Sequence, residues 1–166
     1  PITSTTASAK AAMRSLARRC LMLNDEVVEH DKELKALIEA KAPSLMASHG
    51  IATLTIAEML ILVGDNPSRI RYEVARAKLC GVCPTPASSG KTHLFRLNRG
   101  GNRQANAALY RVAIVRMRNN EPTLAYVQKR TKDGKRKSEI IRCHKRYIVR
   151  EIFTHLCRPE TLEKPF

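Results

Sequence analysis

Apolar side chains recur at spacings of three and four residues from 11 to 41, and this repeat constrains the fold more than any other feature. The a positions of the heptad are Met13, Cys20, Val27 and Leu34, and the d positions are Leu16, Leu23, His30 and Leu37. About four heptads are enough for a coiled coil, so the pattern predicts a long helix that pairs with a second copy. An amphipathic helix packing on its own domain is the alternative. Pro43 should end the helix.

The rest of the chain predicts a mainly α protein in which a compact helical domain follows the long helix. Further helices are predicted at 66–79 and 102–118, from Pro122, and at 138–157. In the last of these we expect Ile141, Ile148, Ile152 and His155 to face inward, and Arg142, Lys145, Arg146 and Arg150 to face outward. The predicted organisation is a flexible N-terminus at 1–10, a linker helix at 11–44, the compact domain at 45–158 and a tail at 159–166.

A Gly-containing turn at 48–53 leads into the apolar run 54–63, which is the layout of a helix-hairpin-helix. In that motif backbone N–H groups near the helix start receive a phosphate regardless of base sequence. The residues predicted to make this contact are Gly50, Ile51, Ala52 and Thr53. Ala52 stands where the usual pattern has a second glycine.

Positive charge is concentrated in the second half of the chain. The 166 residues include 30 Lys and Arg against 15 Asp and Glu, and 88–158 alone carry 18 basic and 4 acidic residues. Such an excess favours a polyanionic partner, most often nucleic acid, with a merely soluble or ribosomal-type basic surface as the alternative. No stretch of about twenty residues is apolar enough to span a membrane, and the first residues lack the pattern of a signal peptide. Five cysteines, an odd number, favour reduced thiols in the cytoplasm. Because the chain starts at Pro1, we expect a fragment or a processed product.

The segment 86–103, PASSGKTHLFRLNRGGNR, combines a Ser-Ser-Gly turn with a dense series of cations. It is predicted to be a loop or a short β-hairpin. Gly90-Lys91-Thr92 matches the end of a phosphate-binding P-loop, but Thr85 stands at the required first glycine, so that interpretation is rejected.

The residues of this region also allow a zinc site or a nucleophilic serine. A zinc site could combine Cys80-x-x-Cys83 with Cys143-His144 or with His155-x-Cys157, although buried structural thiols explain these residues better. A nucleophilic serine would need cations around the phosphodiester. No Asp or Glu lies between Glu73 and Glu121, so the residues alone favour a simple ligand-binding Ser–Gly turn.

The candidate nucleic-acid contacts fall into three groups. Those next to the serines could contact a phosphate near them, a pair seven residues apart shares a helix face, and a third group forms a second basic patch. In that order they are Lys91, Arg96, Arg99 and Arg103; Arg111 and Arg118; and Lys135, Arg136, Lys137, Arg142, Lys145 and Arg146.

The order of these motifs over residues 46–157 closely resembles the C-terminal domain of transposases of the insertion sequence 110 family, which is grouped with sequences 116 and 902. The most specific features are the hairpin, Gly64-Asp65, the SSGK turn and the RGGNR-x-x-N helix start. The preceding heptad helix resembles the coiled-coil linker of the same proteins.

This resemblance implies a DNA recombinase of bacterial insertion sequences, acting in the cytoplasm at the nucleoid and guided by a structured RNA. Its serine domain works with an N-terminal RuvC-like domain whose acidic residues hold Mg²⁺. Ser89 aligns with the DNA-linked serine, and Ser88 is the alternative. We expect the RuvC-like domain to be absent from this chain, and the chain to bind no metal or cofactor and to be inactive alone. The alternative function is a non-catalytic nucleic-acid-binding and dimerisation module, or an inactive remnant.

Overall fold

The computed structural model describes residues 4–66, 68, 70–92 and 95–157, with Cys157 described by its backbone alone. The described residues form a mainly α protein, as predicted. The helices are α1 Thr5–Lys41, α2 Pro43–Met46, α3 Thr53–Val63, α4 Glu73–Leu79, α5 Arg103–Asn119, α6 Glu121–Lys132 and α7 Lys137–Cys157; the strands are β1 Thr85–Pro86 and β2 Phe95–Arg96.

The chain divides after Leu37 into two compact units. The first consists of most of α1, whose apolar heptad side chains are uncovered. Met13, Leu16, Leu23, Val27 and Leu37 are between 48% and 69% exposed. An apolar stripe of this length is typical of a helix that pairs with another helix. Pairing of α1 with a second copy stays a prediction.

The second unit is built around α5 and α7. Small residues on α5, among them Ala105, Ala108 and Ala113, are buried and allow α7 to approach closely. Helix α7 contributes Ile148, Ile152 and Phe153, all with no exposed surface. Helices α3 and α6 pack on α5, while α4 packs on α7. Burial of each large apolar side chain contributes roughly 1.5–3 kcal/mol, which makes this helical cluster the core.

The short strands β1 and β2 form an antiparallel hairpin that carries the SSGK turn at its tip. Thr85 pairs with Arg96, and a further bridge joins Ser89 to Thr92 in the same register. The loop is therefore only Gly90 and Lys91. Gly90 has φ +54°, the conformation that the first position of a type II′ hairpin turn requires. The hairpin alternative of the prediction is confirmed.

The helix predicted from residue 66 begins only at Glu73, so its predicted start is wrong. Tyr72 is extended, with φ −111° and ψ 144°, and the Arg76 side chain donates from Nε to the Ile70 carbonyl oxygen at 3.2 Å. Ile70 is buried. Its tertiary contact and the Arg76 bond stabilise a non-helical approach to α4.

No helix in the described part of the chain has both the length and the apolarity needed to cross a membrane.

Candidate nucleic-acid interface

A cleft of about 840 Å³ lies in the second unit between the hairpin, the loop before α5, and the exposed sides of α5 and α7. Its described lining comes from three stretches of the chain, 81–84, 95–111 and 139–146, and the turn after α4 contributes Val82 and Cys83. Its size lies within the range of ligand-binding pockets in proteins.

Most charged side chains of this cleft are cations. Seven basic residues and one acidic residue occur among its described lining. The basic residues are Arg96, Arg99, Arg103, Arg111, Arg142, Lys145 and Arg146. The acidic one, Glu139, accepts a hydrogen bond from the backbone N–H of Arg136 at 2.9 Å, which together with nearby cations lowers its pKa. The cleft therefore presents a strongly positive surface.

Lys145 was predicted to face outward, and this prediction is wrong: the residue is only 9% exposed. Its Nζ donates to Asn106 Oδ1 at 2.8 Å, and Asn106 Nδ2 donates to the Cys80 carbonyl oxygen at 2.9 Å. Burial lowers the pKa of Lys145, and the neighbouring charge of Arg142 lowers it further. In the described residues no carboxylate pairs with this ammonium group.

Arg146 also differs from the other cations of the cleft because it has an acidic partner. Its Nε donates to Glu73 at 2.9 Å, and Arg150 lies 3.5 Å from the same carboxylate. The hydrogen bond from Arg146, more than any other contact, lowers the pKa of Glu73. This pair joins the first turn of α4 to α7, so part of the charge of Arg146 is neutralised within the fold.

The RGGNR-x-x-N motif has a structural role at the edge of the cleft. Asn102 caps α5 by accepting from the Ala105 N–H at 2.9 Å, and its own N–H donates to the Leu79 carbonyl oxygen at 2.7 Å. Gly101 lies directly against the backbone of Gly81. These contacts fix the loop on the end of α4 and thereby position Arg99 and Arg103 at the cleft.

Ser88 and Ser89 are exposed near the hairpin tip and do not line the cleft. Because side chains alternate along a strand, the register puts Ser89 on the same face as Arg96, and Ser88 on the face of Phe95. Ser89 lies four residues beyond Thr85, the strand partner of Arg96, which corresponds to about 13 Å of extended chain. Within the described residues, no carboxylate or imidazole hydrogen-bonds to Ser89.

Comparison with known proteins gives a match to the family described as Transposase IS116/IS110/IS902, over residues 42–128. That stretch includes the hairpin, the loop before α5 and all of α5. The chain belongs to the IS116/IS110/IS902 transposase family. A relative is a 43.6 kDa uncharacterized protein of insertion element IS110 from Streptomyces coelicolor, 30% identical over 124 residues. The match covers 73% of this chain and 30% of the relative, so the chain spans less than a third of that protein's length.

The remaining predicted contacts of this transposase-family chain lie away from the cleft. Lys91 is exposed in the two-residue hairpin loop, and Arg118 is exposed near the end of α5. Lys135, Arg136 and Lys137 are exposed where α6 passes into α7. Arg111 lines the cleft while Arg118 does not, and their joint contact with one nucleic-acid backbone stays a prediction.

The predicted phosphate-binding turn packs against α5 in this family member. Gly50 has φ +74°, and an added Cβ would meet the Arg116 and Val115 side chains at 3.2 and 3.3 Å. Ile51 is buried and its N–H donates to the Ser48 carbonyl oxygen at 3.2 Å. Ala52 is the N-cap of α3 and offers no side-chain hydrogen bond, so of the four predicted residues only Ala52 and Thr53 lie at the helix start.

Arg116, also on α5, is buried and makes a two-pronged ion pair with Glu151 of α7, at 2.6 and 2.8 Å. Its Nε donates to the His49 carbonyl oxygen at 2.7 Å. One arginine of the basic half thus joins the turn before α3, α5 and α7, and is not available to a partner.

The cysteines considered for a zinc site lie in different environments. Cys80 is buried, which raises the pKa of its thiol to about 12, whereas Cys83 and Cys143 lie at the cleft. In the part of the chain that the structure describes, no three His, Cys, Asp or Glu side chains are grouped so that they could hold a metal ion. The side chain of Cys157 lies outside the described residues.

Sequence reasoning did not select the aromatic residues of the cleft. Phe95 and Tyr110 both line it and are 68% and 48% exposed. Arg103, Asn106 and Tyr110 recur at spacings of three and four on α5, and this helical spacing is the signal that could have grouped them.

Proposed function

We propose that this chain is the serine-bearing, DNA-binding domain of a bacterial insertion-sequence transposase and acts at the chromosome in the cytoplasm. The single observation that carries the proposal is the hairpin, which has Ser89 at its tip while Phe95 and Arg96 at its base line the basic cleft. One hairpin thereby links a hydroxyl nucleophile to a surface suited to phosphates.

In the proposed reaction the Ser89 Oγ attacks a DNA phosphorus atom. A P–O bond forms as the bond to the adjoining nucleotide breaks, the serine proton passes to a base supplied on assembly, and the leaving oxygen takes up a proton. Lys91 is exposed in the two-residue loop beside Ser89, and in this reaction its ammonium group offsets the negative charge that develops on phosphorus.

The family resemblance assigns Mg²⁺ to a RuvC-like domain. The described residues of this chain do not fit that ion, because no three carboxylate, histidine or cysteine side chains come together. A guide RNA and a second protomer belong to the same proposal, with the exposed α1 heptads as the pairing surface.

A second candidate is a non-catalytic binding and dimerisation module. It is favoured by one observation, the lack of any acid or imidazole hydrogen-bonded to Ser89 among the described residues. In this case the cleft binds nucleic acid and the hairpin tip is only a turn.

Ser89→Ala in the complete transposase, with its RuvC-like domain, DNA and guide RNA, distinguishes the two. We expect covalent protein–DNA adducts, detected as a shift on a denaturing gel, to fall by at least about 100-fold because the nucleophile is gone. Ser88→Ala is the companion variant, since this exposed neighbour is the alternative nucleophile. Unchanged adduct formation in Ser89→Ala together with its loss in Ser88→Ala would assign the attack to Ser88, and adducts that persist in both variants would reject the serine proposal. A complete transposase that forms no adduct with either serine intact would favour the binding module.

A further inference from the structure

Lys145 is a buried cation without a carboxylate partner among the described residues. Its ammonium group carries three N–H donors, and the single acceptor found for them is Asn106 Oδ1. Removing a charge from water costs several kcal/mol unless an opposite charge compensates it. Because Lys145 also lines the cleft, the missing compensation can come from an anion bound there.

Asn106 holds Lys145 in place and restricts what can bind it. The amide is committed on both sides, donating to Cys80 and accepting from Lys145. Its orientation is therefore fixed by the backbone at the end of α4. The lysine is presented at the cleft as a positioned donor, unlike the solvated lysines at the α6–α7 turn.

The cleft also contains exposed aromatic surface. Tyr110 of α5 and Phe95 of β2 line the same space as Lys145, and Leu97 beside them is exposed. Aromatic faces next to Arg and Lys are the combination on which unpaired bases stack in single-strand binding sites. A small inorganic anion would use the lysine but leave both rings uncovered.

A duplex does not account for these features. Its phosphates lie outside its stacked bases and are met by exposed cations, so neither a buried lysine nor an aromatic cleft wall would be required. The cleft of about 840 Å³ suits one or two nucleotides with the base turned out.

We propose that this cleft binds an unpaired nucleotide of a single strand, with Lys145 on its phosphate and Tyr110 and Phe95 against its base. This inference rests on the proposed function in taking nucleic acid as the partner, and it adds the strand state and the receiving residues. DNA and RNA share this chemistry, so both are probed.

The test is fluorescence anisotropy of the 166-residue chain with labelled hexamers of thymidine DNA and of uridine RNA, and with a 12-base-pair DNA duplex. We expect Lys145→Met to weaken hexamer binding about tenfold and Tyr110→Leu about fivefold or more, in the range for stacked bases. Duplex binding should change by less than about twofold. Lys145→Met should still fold, because replacing a buried charge by a similar apolar side chain is often neutral or stabilising.

Two control variants match these changes outside the cleft. Lys129→Met removes an exposed lysine of α6, and Tyr147→Leu removes a tyrosine of α7 that is 50% exposed. Both should change hexamer binding less than about twofold. If the cleft variants lose more affinity for one hexamer than for the other, that hexamer identifies the kind of strand that occupies the cleft. Equal losses of affinity mean that the cleft accepts both DNA and RNA.

The proposal is overturned if the cleft variants behave like their controls, or if the duplex is weakened as much as the hexamers. If Lys145→Met does not give a cooperative thermal transition, the exposed Tyr110→Leu decides alone. Adduct formation by the complete transposase and hexamer binding by this chain are separate measurements, so failure of the catalytic proposal and failure of the single-strand proposal are distinguishable.

Discussion

Gly101 lies where the loop before α5 crosses the end of α4, and its missing side chain is what permits that crossing. A Cβ at this position would overlap the backbone of Gly81 and lie 2.9 Å from the Lys78 carbonyl oxygen. Gly100, one residue earlier, has only the Asn98 side chain nearby, at 3.5 Å. Two adjacent glycines therefore have different constraints, and only the second is required by packing.

Gly101→Ala should lower the free energy of unfolding by about 1–3 kcal/mol or more, because backbone on both sides of the contact has to shift. Gly100→Ala, the matched control, should change it by less than about 1 kcal/mol. Urea unfolding followed by circular dichroism measures both. Equal stability of the two variants would show that the crossing can widen without cost.

The clearest limit of sequence reasoning at this scale is Lys145. Its neighbours Arg142 and Arg146 lie one helical turn apart, and this basic stripe is typical of a solvent-facing surface. Helix α5 packs on α7, and its Asn106 supplies the hydrogen bond to Lys145. Asn106 lies 39 residues away in sequence, so helical periodicity could not report this contact.

Helix ends and the hairpin turn agree with the sequence where residues close by in the chain determine them. Asn102 and Asn120 each cap a helix by accepting a backbone N–H three residues ahead, and the tight turn at Gly90 produces the hairpin. The predicted start of α4 was wrong because Ile70 is buried and its carbonyl oxygen accepts a hydrogen bond from the Arg76 side chain, which the helical pattern does not indicate. Local signals predicted the helices and the turn, whereas the assembly of the cleft depends on the packing of α5, α7 and the hairpin.

Helix α1 provides a direct test of pairing, because Cys20 occupies an a position and is exposed in the single chain. In a parallel, in-register coiled coil the two Cys20 side chains face each other and can form a disulfide. Mild oxidation should therefore give a covalent dimer on a non-reducing gel. Cys20→Ser should abolish it, while Cys143→Ser, which removes another exposed thiol, should not. A chain that sediments as a monomer at tens of micromolar would contradict the pairing.

The free energy of unfolding of the second unit should fall as the pH is lowered, because three titratable groups have lowered pKa values in the folded chain. Burial, and next the charge of Arg116, lower the pKa of His144, partly offset by Glu151. Burial alone would raise the pKa of Glu151, but the hydrogen bond and charge of Arg116 outweigh it and lower the pKa. The pKa of Glu73 is also lowered, mainly by Arg146. In each case the unfolded chain takes up a proton more readily than the folded one.

The stabilisation from these three groups is therefore complete above their ordinary pKa values and is lost as the pH falls. The contribution of His144 is lost first, below pH 6.5, and the contributions of Glu151 and Glu73 follow below pH 4.5. Thermal unfolding between pH 8 and pH 3.5 should show both stages. His144→Leu should remove the first stage and leave the second. A midpoint that rises on acidification from pH 7 to pH 5 would contradict this assignment.

The position of Ser89 has a consequence for control of the proposed reaction. Under the proposed function, a hydroxyl beside a two-residue turn, with no acid or imidazole bonded to it among the described residues, needs a base from the assembled complex. We then expect assembly to decide when the strand is cleaved. On this proposal an unassembled chain binds a strand without breaking it, which spares the host chromosome from damage by a stray protein copy.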